Sequence, residues 1–149
     1  PQSLSQIYLH IVFSTKERFP FLEEPAARNV LYAYITGILR KLDCPSQAIG
    51  EQQITFNIQH SVQNDAVADL LYETKKSSSK WLKDESAHLR KFAWQTGYAV
   101  FSVSPSHVDA VRDYIRNQER HHRKISFQDE LRKLFKKYNV EYDERYVWT

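Results

Sequence analysis

The stretch QQITFNIQHS, residues 52–61, alternates apolar and polar side chains with the period of a β-strand. Ile54, Phe56 and Ile58 fall on one face, and this apolar row needs only a core to explain it. The other face is polar but uncharged: Gln53, Thr55, Asn57 and Gln59. Because the surrounding sequence places the strand inside a sheet, a polar face without charge calls for a functional explanation.

Further elements can be predicted on both sides of this strand. The predicted strands cover residues 6–15, 46–50, 52–62 and 98–103, and the predicted helices cover residues 24–42, 67–83, 104–119 and 126–137. Pro25 fits a first helical turn, Ser104 and Pro105 predict a helix start, and Ser126 with Asp129 predicts a capping box. The order β-α-β-β-α-β-α-α predicts an α+β, ferredoxin-like (split βαβ) fold. In that fold an antiparallel sheet has helices on one face, and here a C-terminal helix and tail are added.

The composition is that of an ordinary folded globule. With 149 residues, 42% of them hydrophobic, the chain predicts one domain over residues 1–149. No apolar run approaches the ~18 residues of a membrane span, and the N-terminus shows no export signal. A single cysteine, Cys44, fits a reducing compartment. These features predict a cytoplasmic protein without a membrane partner.

Basic residues are clustered although the net charge is only +3. Residues 75–91 contain six Lys or Arg against two acids, and residues 116–137 contain eight against three. Clustered positive charge favours an anionic partner, of which nucleic acid is the commonest. Solvated helix faces explain the clusters equally well, so charge alone leaves both interpretations open.

Several phrases, in order, resemble the small single-tyrosine HUH transposases of insertion sequences that move as single-stranded DNA. They include YLHIVFSTKERFPFL, DLLYETKKSSSKWL, FAWQTGYAVFSVSPSHVDAVRDYIRNQ and YDERYVW. Relatives associated with repetitive extragenic palindromes (REP) belong to the same group. The resemblance implies a ferredoxin-like homodimer that binds a DNA hairpin and cuts the adjacent single strand. A tyrosine would become linked to the 5′ phosphate, with Mg²⁺ or Mn²⁺ polarising that phosphate.

The resemblance implies that Tyr114, in YIRNQ, is the nucleophile and that Gln118 is the metal ligand on the same helix. Residues four apart lie on one helical face, which agrees with a shared site. Val108, Val111 and Ile115 would anchor the neighbouring face in the core. On the residues alone, the preferred interpretation of Tyr114 is a tyrosine that packs on an amphipathic helix.

The family's His-hydrophobe-His motif falls on Thr55, Phe56 and Asn57, so that neither histidine is present. A hydroxyl and an amide are poorer cation ligands than imidazole. We therefore expect either no cofactor or weakly bound Mg²⁺ or Mn²⁺, and impaired metal-dependent cleavage. One alternative is an active transposase that forms a 5′-phosphotyrosine link through Tyr114. Another is an interaction module that binds no nucleic acid.

Four histidines elsewhere in the chain are candidate replacement ligands: His10, His60, His121 and His122. None forms a pair with metal-ligand spacing, and a lone histidine is more often a hydrogen-bonded structural residue. His10 lies on the first strand, which a ferredoxin-like sheet places beside the long strand.

The expected partners are single-stranded or hairpin DNA and a second copy of the chain. The residues expected to bind DNA are Lys16, Arg18, Lys75, Lys76, Lys80, Lys83, Arg116, Arg120, Arg123 and Lys124. Trp81 either stacks on a base or packs in the core, and core packing is preferred. The strand at residues 98–103 is apolar enough to form an edge that pairs with a partner.

Overall fold

A computed structural model describes residues 6–50, 53–59, 67–117 and 126–148, with only the backbone at 53–59. The elements are β1 (Gln6–Val12), α1 (Pro25–Lys41), β2 (Ser46–Ile49), β3 (Gln53–Gln59), α2 (Val67–Glu85), β4 (Ala99–Val103), α3 (Val108–Arg116) and α4 (Phe127–Lys137). Within these ranges, no helix is both long enough and apolar enough to cross a membrane.

The four strands form one antiparallel sheet in the order β2-β3-β1-β4. This order confirms the predicted α+β, ferredoxin-like fold. The central strand β1 pairs with both β3 and β4. Its register with β3 places Leu9 opposite Phe56 and Ile11 opposite Ile54. The apolar row predicted on the long strand therefore aligns with the apolar row of β1.

The first face of the sheet carries the larger core. Leu9, Ile11 and Phe13 pack with buried residues of α1 and α2, among them Leu31 and Leu71. Burial of one such aliphatic side chain contributes about 1.5–3 kcal/mol relative to its exposure. Removing these side chains from water therefore drives α1 and α2 onto this face.

The second face of the sheet is also covered. Val12 and Phe101 form a separate core with Leu131 and Phe135 of α4. The prediction of helices on one face only is therefore wrong. The reason lies in β1, where residues 9–12 are all buried. Alternate residues of a strand point to opposite faces, so an unbroken buried run requires cover on both.

Two helix starts differ in how well the sequence predicted them. The Ser126 hydroxyl accepts a hydrogen bond from the Asp129 backbone N–H at 3.2 Å, which confirms the predicted cap of α4. In contrast, Pro105 opens a 3₁₀ turn (Pro105–His107), and α3 begins only at Val108. A proline at the first position suits either kind of turn, so this signal does not separate them.

The C-terminal tail packs onto α4. The Arg132 guanidinium donates to both carboxylate oxygens of Glu144, at 2.8 and 3.0 Å. The Trp148 indole donates to the same carboxylate at 2.9 Å, and Arg132 lies 4.9 Å from the Trp148 ring centre. The hydrogen bonds from Arg132 and Trp148 lower the pKa of Glu144 to about 2. The ion pair between Arg132 and Glu144 therefore stays charged over the ordinary pH range.

Candidate active site

A cavity of about 680 Å³ lies between the second face of the sheet and helices α3 and α4. Tyr114 of α3 is half-buried and lines it. On the same helix Val108 and Ile115 are buried, as predicted, and hold α3 in place. Val111, expected in the core, is only partly buried and lines the cavity beside Tyr114. Tyr114 thus faces open space.

Two polar side chains at the cavity wall are almost fully buried. His10 of β1 is 2% exposed and Glu130 of α4 is 5% exposed. The His10 ring is tilted against Phe101, with the ring centres 6.1 Å apart. Glu130 was missed in the sequence because a glutamate in the first turn of an amphipathic helix usually faces water. The inner wall of the cavity therefore carries titratable groups as well as apolar ones.

The opening of the cavity is basic. Lys133 and Lys137 of α4 are one helical turn apart, are exposed and line the cavity. Tyr138 follows them and also lines it; its ring stacks on Phe101 with the centres 4.7 Å apart. Neither lysine was among the predicted DNA contacts. The cavity thus combines a buried carboxylate with two exposed ammonium groups.

The predicted ligand positions lie on a strand that adjoins this cavity wall. In the β1–β3 ladder Thr55 is the register partner of His10, and Asn57 is the register partner of Tyr8. Helix α3 packs on β2 and β3, and Arg112 Nη2 donates to Gln47 Oε1 of β2 at 3.1 Å. The helix that bears Tyr114 therefore contacts the strand that bears Thr55 and Asn57. Gln118 lies outside the described residues.

The donor set does not fit a divalent cation of the kind that the resemblance implies. Thr55 and Asn57 supply a hydroxyl and an amide at the positions where the resemblance implies two imidazoles. In the part of the chain that the structure describes, no group of three or more His, Cys, Asp or Glu side chains could hold a metal ion. His10 and Glu130 do not complete such a group.

The predicted DNA-binding residues that the structure describes lie on different elements of the fold. Lys16 and Arg18 lie in the turn after β1, where the backbone of Arg18 has a positive φ of 54°. The Arg18 guanidinium lies 3.2 and 3.3 Å from the side-chain oxygen of Gln128 on α4, once that amide is turned to suit its neighbours. The remaining exposed members are Lys76, Lys80 and Lys83 on α2 and Arg116 at the end of α3. Arg120, Arg123 and Lys124 lie outside the described residues.

Two residues of the KKSSSKW run have structural contacts. Lys75 is half-buried, and its ammonium donates to the carbonyls of Gln95 (3.0 Å), Thr96 (3.4 Å) and Gly97 (2.9 Å). These contacts argue against the predicted DNA contact by Lys75, because its three donors are already used. Trp81 is partly buried and stacks on Tyr34 with ring centres 4.5 Å apart. This supports the preferred core role of Trp81.

The stability of the protein should respond to pH through Lys75. Burial lowers the pKa of Lys75 from 10.5 to about 8. Between these values the unfolded chain binds more protons, so the free energy of unfolding should rise as the pH goes from about 8 to 10.5. We expect a gain of about 1 kcal/mol, after allowance for the partial exposure of the side chain. Urea unfolding at several pH values measures the free energy of unfolding. In the Lys75→Met variant the part of the increase that comes from Lys75 should be absent.

Comparison with known proteins decides the family. The family described as "Transposase IS200 like" matches residues 3–118, which is most of the chain. The chain belongs to this family. The match includes β1, β3 and Tyr114, and it ends before α4. No curated protein sequence matches the chain significantly.

Two solved structures share the fold. One is a presumed transposase from Deinococcus radiodurans R1, with a TM-score of 0.57 and 18% identity over 79% of this chain and 95% of that chain. The other is a REP-associated tyrosine transposase bound to a REP hairpin, with a TM-score of 0.55 and 12% identity over 82% of this chain and 72% of that chain. At such identities the likeness establishes the fold of this member of the IS200-like family.

Proposed function

We propose that this IS200-like transposase family member binds hairpin or single-stranded DNA and is impaired in metal-dependent strand cleavage. Family membership supports the DNA partner, as does a solved neighbour of the same fold that is bound to a REP hairpin. The exposed basic residues after β1 and on α2 supply the positive charge that phosphates require. We also propose that residues 1–149 form one domain and that the protein is cytoplasmic.

The impairment is the more specific part of the proposal, and the observation that carries it is the identity of Thr55 and Asn57. These residues lie on the strand against which α3 packs, opposite His10 and Tyr8. A tyrosine has a pKa near 10, so its attack on a phosphate at neutral pH depends on added charge stabilisation. With weakly coordinating side chains at both positions, Tyr114 would be a nucleophile without the metal ion that assists it.

A second candidate function is an active transposase that forms a 5′-phosphotyrosine link. The observation in its favour is that Tyr114 lines an open cavity next to exposed lysines rather than packing in the core. The two candidates differ in one product, a covalent bond between Tyr114 and DNA. Both require the same DNA-binding surface.

We further propose a homodimer that forms through β4. Among the described strands, β4 is at one edge of the sheet and pairs only with β1. An edge strand that contains buried apolar residues such as Phe101 and Val103 can extend a sheet into a second copy. Sedimentation equilibrium measures this association. A chain that remains monomeric at high micromolar concentration would contradict it.

DNA binding should be salt-dependent and should depend on the turn after β1. We expect Lys16→Ala with Arg18→Ala to weaken binding to a labelled hairpin by roughly tenfold at 0.1 M salt. The slope of log K against log salt should fall by about 2, because two phosphate contacts are lost. Fluorescence anisotropy over a salt series measures both quantities.

A matched control for this experiment is Lys41→Ala, since Lys41 is exposed at the end of α1 and is not in the predicted DNA-binding set. It should leave affinity within about twofold. If the wild-type chain shows no salt-sensitive affinity for hairpin DNA, the proposal of a DNA-binding function is wrong, and a module that binds no nucleic acid becomes the better account.

A further inference from the structure

The cavity beside Tyr114 is closed on one side by an element that the family match does not include. The match ends at residue 118, whereas α4 spans Phe127–Lys137. This helix contributes Glu130, Lys133 and Lys137 to the wall, at successive positions along one helical face. The contribution of these three residues to the cavity therefore lies outside the region that the family match covers.

Charge is distributed unevenly across this helical face. Glu130 is 5% exposed and lies deep in the wall, whereas Lys133 and Lys137 are exposed. An anionic group that entered the cavity would be attracted to the two exposed ammonium groups, whereas the buried carboxyl group of Glu130 offers it no positive charge. A ligand with a phosphate at one end and an uncharged body at the other would therefore bind with its phosphate at the lysines.

The remaining wall suits an uncharged, flat body. Val103, Leu134 and the Tyr138 ring present apolar surface to the cavity. A volume of about 680 Å³ lies within the range typical of small-molecule sites, and so it can hold a nucleotide but not a duplex. Aromatic side chains beside cationic ones are the usual means by which proteins hold unpaired bases.

We propose that this cavity receives one unpaired nucleotide of a single strand, with Lys133 and Lys137 binding its phosphate. The inference rests on the proposed DNA-binding function and extends it to a site on α4. The base contacts the apolar wall near Tyr138. Since the two ammonium groups supply the positive charge, this part of the binding needs no divalent cation.

The experiment compares Lys133→Ala/Lys137→Ala with Lys136→Ala in the full chain. Lys136 is an exposed lysine on the same helix that does not line the cavity, so it controls for the loss of one positive charge on α4 outside the cavity. The probes are one fluorescent hairpin with a single-stranded extension and the same hairpin without it, both in EDTA. Circular dichroism checks that each variant is folded.

We expect the double variant to bind the extended hairpin about tenfold or more weakly than the wild type, because both ammonium groups that bind the phosphate are lost. Its affinity for the blunt hairpin should change by less than about threefold, and Lys136→Ala should change neither affinity by more than about twofold. Equal affinities of Lys133→Ala/Lys137→Ala and Lys136→Ala for the extended hairpin would overturn the inference while leaving the DNA-binding proposal intact. Absence of any binding by the wild type would instead overturn both.

Discussion

Thr55→His together with Asn57→His is expected to produce a covalent protein–DNA adduct in the presence of Mn²⁺. The two substitutions place imidazoles at the positions where the family resemblance implies metal ligands, on the strand that contacts the helix of Tyr114. Imidazole binds Mn²⁺ better than a neutral hydroxyl or amide does. We expect adduct formation at least about 10²-fold above the wild-type level, because metal-assisted stabilisation of a phosphoryl group is worth several kcal/mol. A denaturing gel with a labelled hairpin measures it.

Two controls make the result specific. Adding Tyr114→Phe to the double variant must abolish the adduct, since the phenolic oxygen is the bond-forming atom. Thr55→Gln with Asn57→Gln enlarges the same side chains without supplying imidazole, and it should remain inactive. If the histidine variant is folded and binds the hairpin, yet forms no adduct, then the missing imidazoles do not account for the impairment.

Phe135→Ala should destabilise the protein by about 3–5 kcal/mol, the range for large-to-small changes in a core. Phe135 is 4% exposed, packs against Phe101 of β4 and lies 4.5 Å, between ring centres, from Tyr142 of the tail. Its removal would leave a void between α4 and the second face of the sheet. Urea unfolding monitored by circular dichroism gives the free energy.

Lys136→Ala is again the matched control for α4, because its side chain is exposed, and it should change stability by less than about 0.5 kcal/mol. A loss below about 1 kcal/mol for Phe135→Ala would mean that α4 is not held by the second core. In that case the cavity would lose one of its walls in solution. Helix α4 would then be a poor platform for a nucleotide site.

The sequence predicted the fold well because the strongest signals were local. The apolar rows of Ile54 and Phe56 and of Leu9 and Ile11 have the strand period, and these pairs are opposed in the sheet. Element order then selected the ferredoxin-like arrangement from few alternatives. The second core was missed, because the burial of residues 9–12 on both faces depends on α4, which is distant in the chain.

The site was predicted less completely. Tyr114 was predicted through the family resemblance, but Glu130, Lys133 and Lys137 belong to no motif in the matched region. Their spacing along α4 indicates a common face, yet only tertiary packing shows that this face borders a cavity. An amphipathic pattern alone places charged residues in solvent.

Lys75 illustrates a second limit of the sequence pattern. Its position in a basic run favoured a phosphate contact, but three consecutive carbonyls at residues 95–97 surround its ammonium. Those residues are about twenty positions away in the chain, and no local pattern indicates that their carbonyls converge there. Charge runs therefore predict a binding surface only for the members that the fold leaves exposed, such as Lys76 and Lys80.

The most direct test on the wild-type chain asks whether it binds DNA without forming a covalent bond to it. One reaction mixture is analysed on a native gel and on a denaturing gel. The protein is incubated with Mn²⁺ and a labelled hairpin that carries a single-stranded extension. We predict a shifted complex on the native gel that weakens with salt, and no labelled protein band on the denaturing gel. A denaturing-gel band that forms with wild-type protein and disappears with Tyr114→Phe would show that the chain cleaves DNA without the paired histidines.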